Sequence, residues 1–205
     1  KGRYPAHWHM NGDVEGEYIE NSSIHHSYNK GIAIHGVQNA WIEDNVVYDT
    51  IGHGFFIEDG SEFGNVLKDN LGFVTRQAAS ASEASNPSDF IAVATFWLPN
   101  PQNHMIGNHA AGSDNSGIWF THQDDVQGLS AKVEDYQGYA PKHRMHGGFD
   151  DNTAHSNLGH GLAHAQSMDE VTGKLSDSHY KGDFLFKDST AYISGDQGIW
   201  TRSTN

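Results

Sequence analysis

Short runs of alternating apolar residues recur along this chain, separated by clusters of Asn, Asp, Ser and Gly. Residues 18–36 read YIENSSIHHSYNKGIAIHG and residues 41–59 read WIEDNVVYDTIGHGFFIED, the same pattern displaced by 23 residues. Apolar positions coincide in the two copies, at Ile19 and Ile42, Ile24 and Val47, Ile32 and Phe55, and Ile34 and Ile57. A repeat of this length is typical of solenoids. Alternation bounded by turn residues favours strands. The pattern therefore predicts an all-β fold, a parallel β-helix with coils of about 23 residues.

Later segments repeat the template and extend the prediction to six or seven coils. A weaker copy begins at Asn65, and further copies contain Gly117-Ile118-Trp119-Phe120, the Gly-His-Gly turn at 159–161, and Gly198-Ile199-Trp200. Because strand side chains alternate between the two faces, one apolar set is predicted to face inward. This set is Ile24, Ile32, Ile34, Val47, Phe55, Ile57, Ile118, Phe120, Leu162 and Ile199.

Three segments break the repeat and are predicted to be inserted loops. They cover about 76–102, where the low-complexity part is 76–90, then 123–148, and 165–183, for which a short helix is expected. Uncommonly long loops are often functional, so the second segment is predicted to form a flap. The whole of 1–205 is predicted to be one β-helix domain and a fragment of a larger protein with flanking domains.

Charge and composition exclude some functions. The formal net charge is −14, from 12 Lys and Arg against 26 Asp and Glu. A nucleic-acid partner would need a basic stripe, so none is expected. No apolar stretch approaches the roughly 18 residues of a membrane span. Fifteen His residues are present and Cys is absent. The His residues therefore become the main candidates for chemistry.

A predicted metal site lies across three neighbouring coils. If Ile32 and Ile34 face inward, His35 faces outward, and Glu58 takes the equivalent position one coil later. One coil earlier, His7 and His9 share a strand face. Three imidazoles and a carboxylate suit Zn, Fe or Mn, while nearby acidic loops would suit Ca. The alternative is that these His residues only bond to loop backbone.

Other candidates surround this cluster. His53 precedes the strand that leads into Glu58 and Asp59, and these three, with Arg3, are the candidate catalytic residues. Lys30 is a candidate substrate contact that offers local positive charge. Trp119 and Trp200 align in an outward column with Ala33, Phe56 and Ala163. Exposed aromatic residues there would stack on sugar rings, whereas the alternative is that they pack beneath the inserted loops.

The strings GRYPAHWHMNGD, YIENSSIHHSYNKGIAIHG and TIGHGFFIEDGSEFGNVLKDNLG resemble the β-helix core of the family of the cell-migration-inducing, hyaluronan-binding protein and the transmembrane hyaluronidase. Fibrocystin and other G8-domain proteins are more distantly similar. The likeness covers residues 1–75. It implies a right-handed parallel β-helix, an extracellular setting, and a polysaccharide, typically hyaluronan, as substrate or ligand. The family's motif residues map here onto Arg3, His7, His9, Asp13, His25, His26, His35, His53, Glu58 and Asp59. The absence of Cys departs from the animal relatives and points to a bacterial-type relative.

Three functions are open at this point. The first is a secreted enzyme that cleaves an acidic polysaccharide by hydrolysis or elimination, where the metal or Arg3 neutralises a uronate carboxylate. The second is a non-catalytic module that binds glycan or metal within a large surface protein. The third is a structural spacer. An enzyme needs a groove in which the His and Glu cluster faces an exposed aromatic or basic wall. A binding module needs only the wall, and a spacer would show neither, with those His side chains bonded to backbone.

Overall fold

Three parallel sheets form the walls of the molecule in a computed structural model that describes residues 4–176 and 180–202. The first sheet has seven strands in the order β1 (Ala6–Asp13), β4 (Ile32–Gln38), β7 (Phe55–Ile57), β10 (Ala94–Leu98), β13 (Ser116–Phe120), β16 (Leu162–His164) and β20 (Ile199–Thr201). The second has five, β14 (Gly148–Asp150), β11 (His104–Ile106), β8 (Val66–Lys68), β5 (Trp41–Glu43) and β2 (Tyr18–Glu20). The third has six, β19 (Thr190–Tyr192), β15 (Thr153–His155), β12 (His109–Ala111), β9 (Leu71–Arg76), β6 (Val46–Ile51) and β3 (Ser23–Ser27).

The chain visits the second, third and first sheets in turn, which confirms the predicted parallel β-helix. Five consecutive triplets of strands, from β2–β4 to β14–β16, make complete coils, with β1 before them and β19 and β20 after them. The repeat alignment is also confirmed at residue level. The ladder partners are Ile19 and Ile42, Ile24 and Val47, Ile32 and Phe55, and Ile34 and Ile57.

The interior of the coils is an apolar stack that contains most of the predicted inward set. Eight of its ten members are buried core residues, and Ile24 packs partly buried against them. Ile199 differs, because it belongs to β20, the last strand of the first sheet, and is 47% exposed. His164 lies two residues after Leu162 and therefore also faces this interior, where it is buried.

The first predicted loop is too long. Ala94–Leu98, inside the predicted 76–102, is strand β10 and pairs with β7 and β13. The real insertion lies between β9 and β10 and contains the short helix α1 (Pro87–Ile91). Because the insertion displaces β10 from the 23-residue period, the repeat in the sequence does not reveal this strand.

The other two insertions lie close to their predicted places. The second runs from the end of β13 to β14, and within it are three short 3₁₀ turns, Ser130–Lys132, Glu134–Tyr136 and Pro141–His143. In the third, the expected short helix is wrong over the described residues, because an antiparallel hairpin of β17 (Ser167–Asp169) and β18 (Lys174–Ser176) forms there instead. Among the described residues, no helix has the length and apolar character that crossing a membrane requires.

The insertions cover the outer face of the first sheet. Outward positions of its strands form one register, the outer column, made of His7, Ala33, Phe56, Trp97, Trp119, Ala163 and Trp200. Met168 of β17 and Ala92 of the first insertion bury the middle of this column. The β1 end of the column stays open to solvent, because His7 is exposed.

Candidate functional site

Three imidazoles converge at the open end of the outer column. His7 and His9 project from the same face of β1, and His9 is the ladder partner of His35 in β4. The Nδ1 atoms of His9 and His35 are 3.1 Å apart. One ring nitrogen from each of the three residues lies within 4.8 Å of the others. We call these three residues the histidine cluster, and the structure brings them together as the sequence predicted.

A backbone irregularity shapes the strand that carries two of them. The pairing of β1 with β4 shifts register between His9 and Gly12, and Met10 has a φ of 57°. Opposite it, Gly36 has a φ of 61°, and a Cβ there would come within 2.5 Å of Met10 Sδ. A glycine at position 36 therefore lets the bulged strand approach closely.

A carboxylate fixes the ring of His35. His35 Nε2 lies 2.8 Å from Asp59 Oδ2, and that oxygen also accepts a hydrogen bond from the backbone N–H of Ser130 at 2.9 Å. Nε2 is therefore the protonated nitrogen towards Asp59, and the Nδ1 lone pair is directed at His9. Burial opposes protonation of His35, but the hydrogen bond to Asp59 and the charges of Glu58 and Asp59 outweigh it and raise the pKa.

Glu58 lies at the edge of the histidine cluster. Its Oε2 is 3.4 Å from His35 Nδ1, and the Tyr4 hydroxyl donates to its Oε1 at 3.5 Å. Burial raises the pKa of Glu58, although His35 acts in the opposite direction. Glu58 forms a second close group with His35 and Asp59. The four residues predicted as ligands therefore do not form one group, because Glu58 shares a triplet with His35 but not with His7 and His9.

A buried carboxylate holds the turn after β7 in place. Glu62 accepts hydrogen bonds from the backbone N–H groups of Gly36 at 2.8 Å, Gly60 at 2.7 Å and Asp59 at 3.2 Å. Burial and the charge of Asp59 raise the pKa of Glu62 to about 7. This clip connects β4 to the turn and so positions Asp59 behind His35.

The histidine cluster forms one wall of a cleft of about 370 Å³. Glu58 and Tyr4 lie on the same side, whereas the facing residues come from the inserted segments. These are Gly128, Leu129 and Lys132 of the second insertion, Glu170 and Val171 of the third, and Asn86 of the first. A groove beside the cluster is what an enzyme or a glycan-binding site requires and what a spacer would lack.

Two predicted residues are buried away from the cleft. The expectation that Lys30 adds surface positive charge is wrong, because its side chain has no exposed area and its Nζ is 2.7 Å from Asp89 Oδ2 and 2.9 Å from Asn86 Oδ1. His53 is also fully buried, with Nε2 2.9 Å from Ser88 Oγ. Burial lowers the pKa of His53 to about 3, so the ring is neutral.

The two predicted sugar-stacking tryptophans do not form an exposed platform. Trp119 is 3% exposed, packs under the third insertion, and donates from Nε1 to the Ala165 carbonyl at 2.8 Å. Trp200 continues the outer column and packs, partly buried, against the buried apolar side chains of that column. The alternative, that these residues pack beneath the inserted loops, is therefore correct for Trp119. Arg3 lies outside the described residues, and His25 and His26 lie on the third sheet.

Sequence reasoning missed the residues that the insertions supply. Glu170, Lys132 and Ser88 lie in segments without periodicity, and no spacing connected them to the histidine cluster. Glu170 follows β17 in the pair Asp169-Glu170, which is typical of an ordinary solvated turn. The only available signal was the length of the insertions themselves.

Comparison with known proteins decides the family. Residues 1–162 of the 205 match the family model described as CEMIP beta-helix. The chain belongs to the CEMIP β-helix family. The match reaches well beyond residue 75, where the resemblance in the sequence motifs ends.

Relatives of this CEMIP β-helix are much longer proteins. Human cell surface hyaluronidase CEMIP2 is 35% identical over 187 residues, which cover 78% of this chain and 13% of the relative. Mouse fibrocystin-L is 39% identical over 162 residues, covering 78% and 4%. Mouse cell migration-inducing and hyaluronan-binding protein is 30% identical over 250 residues, covering 98% and 18%. The chain thus spans less than a fifth of each of these relatives.

Proposed function

We propose that this CEMIP β-helix is part of an extracellular enzyme that cleaves a hyaluronan-like acidic polysaccharide in the cleft beside the histidine cluster. Two kinds of observation support this. Relatives are named cell surface hyaluronidase and cell migration-inducing and hyaluronan-binding protein. In addition, the cleft joins imidazole, carboxylate and ammonium groups in one place, as polysaccharide chemistry requires.

The observation that carries the proposal is the approach of His9 Nδ1 to His35 Nδ1 at 3.1 Å. Two nitrogens bound at normal lengths to one tetrahedral Zn²⁺ would lie about 3.3 Å apart. The carboxylate behind His35 is the usual second partner of a metal-bound imidazole. We infer that His7, His9 and His35 hold a divalent metal, with Glu58 at its edge. Imidazole ligands favour Zn or Fe over Mn or Ca.

The bound metal would supply positive charge to neutralise a uronate carboxylate. The chain's own residues would do the remaining work. Asp59 orients His35, and Lys132 adds a second cation to the cleft. These local charges are needed because the net charge of −14 repels a polyanion. Glu58, whose pKa is raised by burial, lies beside the cluster as a group able to exchange a proton.

A binding module without catalysis is the second candidate. Fibrocystin-L, whose name refers to no enzymatic activity, matches this chain as well as the hyaluronidases do. In that case the cleft would hold an acidic glycan or a metal and leave the glycan intact.

The decisive test measures metal content and glycan cleavage in the same preparations. We expect about one metal ion per chain and release of shorter hyaluronan fragments that stops with a chelator. His35→Ala should lower the metal affinity by at least about 100-fold. Loss of a direct ligand should cost more than the roughly 10–100-fold loss caused by removing a residue that only hydrogen-bonds to a ligand. His155→Ala, on the third sheet against Tyr192, is the matched control and should retain both.

The products then separate the reactions. New reducing ends alone indicate hydrolysis, and unsaturated ends indicate elimination. Metal binding without turnover of any glycan in a panel of acidic polysaccharides would contradict the enzyme and favour the binding module. An unchanged metal content in His35→Ala would contradict the metal site itself.

A further inference from the structure

Glu170 lines the cleft from the third insertion, whereas the histidine cluster lies on strands of the first sheet. It follows β17 in the hairpin of the third insertion and lines the cleft with Lys132 and Glu58. Its backbone N–H donates to Gln127 Oε1 of the second insertion at 2.8 Å. Two insertions therefore fix its position relative to the cleft.

A chain of hydrogen bonds runs from Glu170 into the protein interior. The backbone N–H and the hydroxyl of Ser88 reach Glu170 Oε2 at 3.3 Å and 3.0 Å. The same hydroxyl lies 2.9 Å from His53 Nε2. His53 Nδ1 in turn is 3.0 Å from the backbone nitrogen of Ala94 and 3.1 Å from its carbonyl oxygen.

This chain is satisfied whether Glu170 is charged or neutral. With a charged carboxylate, Ser88 donates to Glu170, His53 Nε2–H donates to Ser88, and the Ala94 N–H donates to His53 Nδ1. With a neutral carboxyl group whose proton is on Oε1, the same donors and acceptors persist, because Oε2 still accepts from Ser88 and the Ala94 N–H still donates to His53 Nδ1. His53 stays neutral in both arrangements, since burial lowers its pKa to about 3. The heavy atoms need not move.

The other oxygen of Glu170 is the one that can carry an exchangeable proton. Oε1 is buried at the wall of the cleft and has no hydrogen-bond partner among the described residues, so no other group holds a proton on this oxygen. Burial raises the pKa of Glu170 to about 7, while the Ser88 hydrogen bond and the charge of Lys30 act to lower it and Asp89 acts to raise it. A carboxyl group of this kind exchanges its proton near neutral pH, as a general acid must.

We propose that Glu170 is the proton donor of the cleft, which passes its proton to the glycosidic oxygen of an acidic polysaccharide as the bond between that oxygen and the sugar carbon breaks. The leaving sugar gains a hydroxyl group and Glu170 becomes a carboxylate. In hydrolysis, water adds to the sugar carbon and its proton returns to Glu170. Ser88 is a positioning residue. The inference rests on the proposed enzymatic function.

The test compares Glu170→Gln with the full wild-type chain on hyaluronan. Gln keeps the shape and hydrogen bonds but cannot release a proton, so kcat/KM should fall by about 100-fold or more. Metal content and melting temperature should stay unchanged. Glu20→Gln, an exposed change on the second sheet, is the matched control and should keep wild-type activity.

The pH profile distinguishes proton donation from a structural role. Wild-type kcat/KM should decline above neutral pH as Glu170 loses its proton, and Glu170→Gln should lack that decline. Ser88→Ala removes a hydrogen bond that lowers the pKa, so its decline should move to higher pH. Wild-type activity in Glu170→Gln, or an alkaline decline identical in all variants, would overturn the role of Glu170 and leave the proposed function standing. An inactive wild type would overturn the proposed function and this inference together.

Discussion

The turn before the third sheet and the outer face of the first sheet use the same repeat in opposite ways. At the turn, Asn45, Asn70, Asn108 and Asn152 occupy equivalent positions in four successive coils, and we call them the asparagine ladder. The Nδ2 of each of the first three donates to the Oδ1 of the next at 3.0 to 3.1 Å. On the outer face, one register of neighbouring strands reads His9, His35 and then Glu58.

The difference shows what repetition means in a β-helix. Every coil must turn at the same place, and each ladder amide meets the same need by bonding a backbone carbonyl and a backbone N–H of adjacent coils. An identical residue in four successive coils therefore indicates a structural demand. The outer face has no such shared demand, so a change from coil to coil there marks a local task.

The largest expected effect comes from breaking the ladder. Asn70 donates to the Ile42 carbonyl and Asn108 Oδ1, and its own Oδ1 accepts from the N–H and the Nδ2 of Asn45. Asn70→Ala leaves these buried groups without partners and should lower the free energy of unfolding by about 3 kcal/mol. Urea denaturation measures this.

The control for that change is Asn39→Gly. Asn39 donates to Asp13 in a partly exposed bend, and its φ of 62° suits glycine, so the loss should be below about 1 kcal/mol. Metal content of folded Asn70→Ala should equal that of the wild type. A weaker metal affinity in this variant would show that the two regions are not independent.

A smaller effect is expected at the outer partner of the histidine cluster. Asp59→Asn keeps the shape but lets the ring of His35 reorient, so metal affinity should weaken by about 10–100-fold with little loss of stability. Isothermal titration with Zn²⁺ measures this. Asp44→Asn in an exposed turn is the matched control, because Asn also tolerates the φ of 53° found there. Equal affinity in both variants would remove Asp59 from the site.

The smallest expected effect depends on pH. His164 lies in the apolar interior, facing the rings of His122, His146 and Tyr180, and burial lowers its pKa below the ordinary value of 6.5. Below about pH 6.5, His164 is therefore protonated in the unfolded chain but stays neutral in the folded chain. The free energy of unfolding should be at its full value above this pH. As the pH falls further, His164 should lower it by about 1.4 kcal/mol per pH unit.

His164→Leu should remove that share of the slope. Burial also lowers the pKa of His146, to about 3, so part of the acid sensitivity should persist in the variant. Denaturation curves between pH 8 and pH 5 measure both. The same slope in the variant and the wild type would show that His164 is protonated in the folded state.

The fold and half of the candidate site follow from local pattern. The 23-residue period placed Ile32 on Phe55, and strand alternation placed His9, His35 and Glu58 in one register. These are nearest-neighbour relations between successive coils, which a sequence displays directly. The burial of Trp119 was not displayed in this way, because it depends on what covers the sheet.

Contacts between insertions and coils could not be predicted. Lys30 finds its partner Asp89 59 residues later, and Ser88 meets Glu170 82 residues later, without any period connecting them. A lysine that begins a turn reads as exposed until its counter-ion is known. The strand Ala94–Leu98 was hidden for a similar reason, since the insertion before it reset the spacing.

The buried pair of Lys30 and Asp89 constrains how this molecule can change through evolution. Replacing the segment before β10 with that of a relative would strand an ammonium group in the protein unless the new segment also brings an anion to the same point. Position 30 and the inserted segment must therefore vary as a unit, and the edge of the cleft formed by Asn86 is inherited together with a residue of the first complete coil.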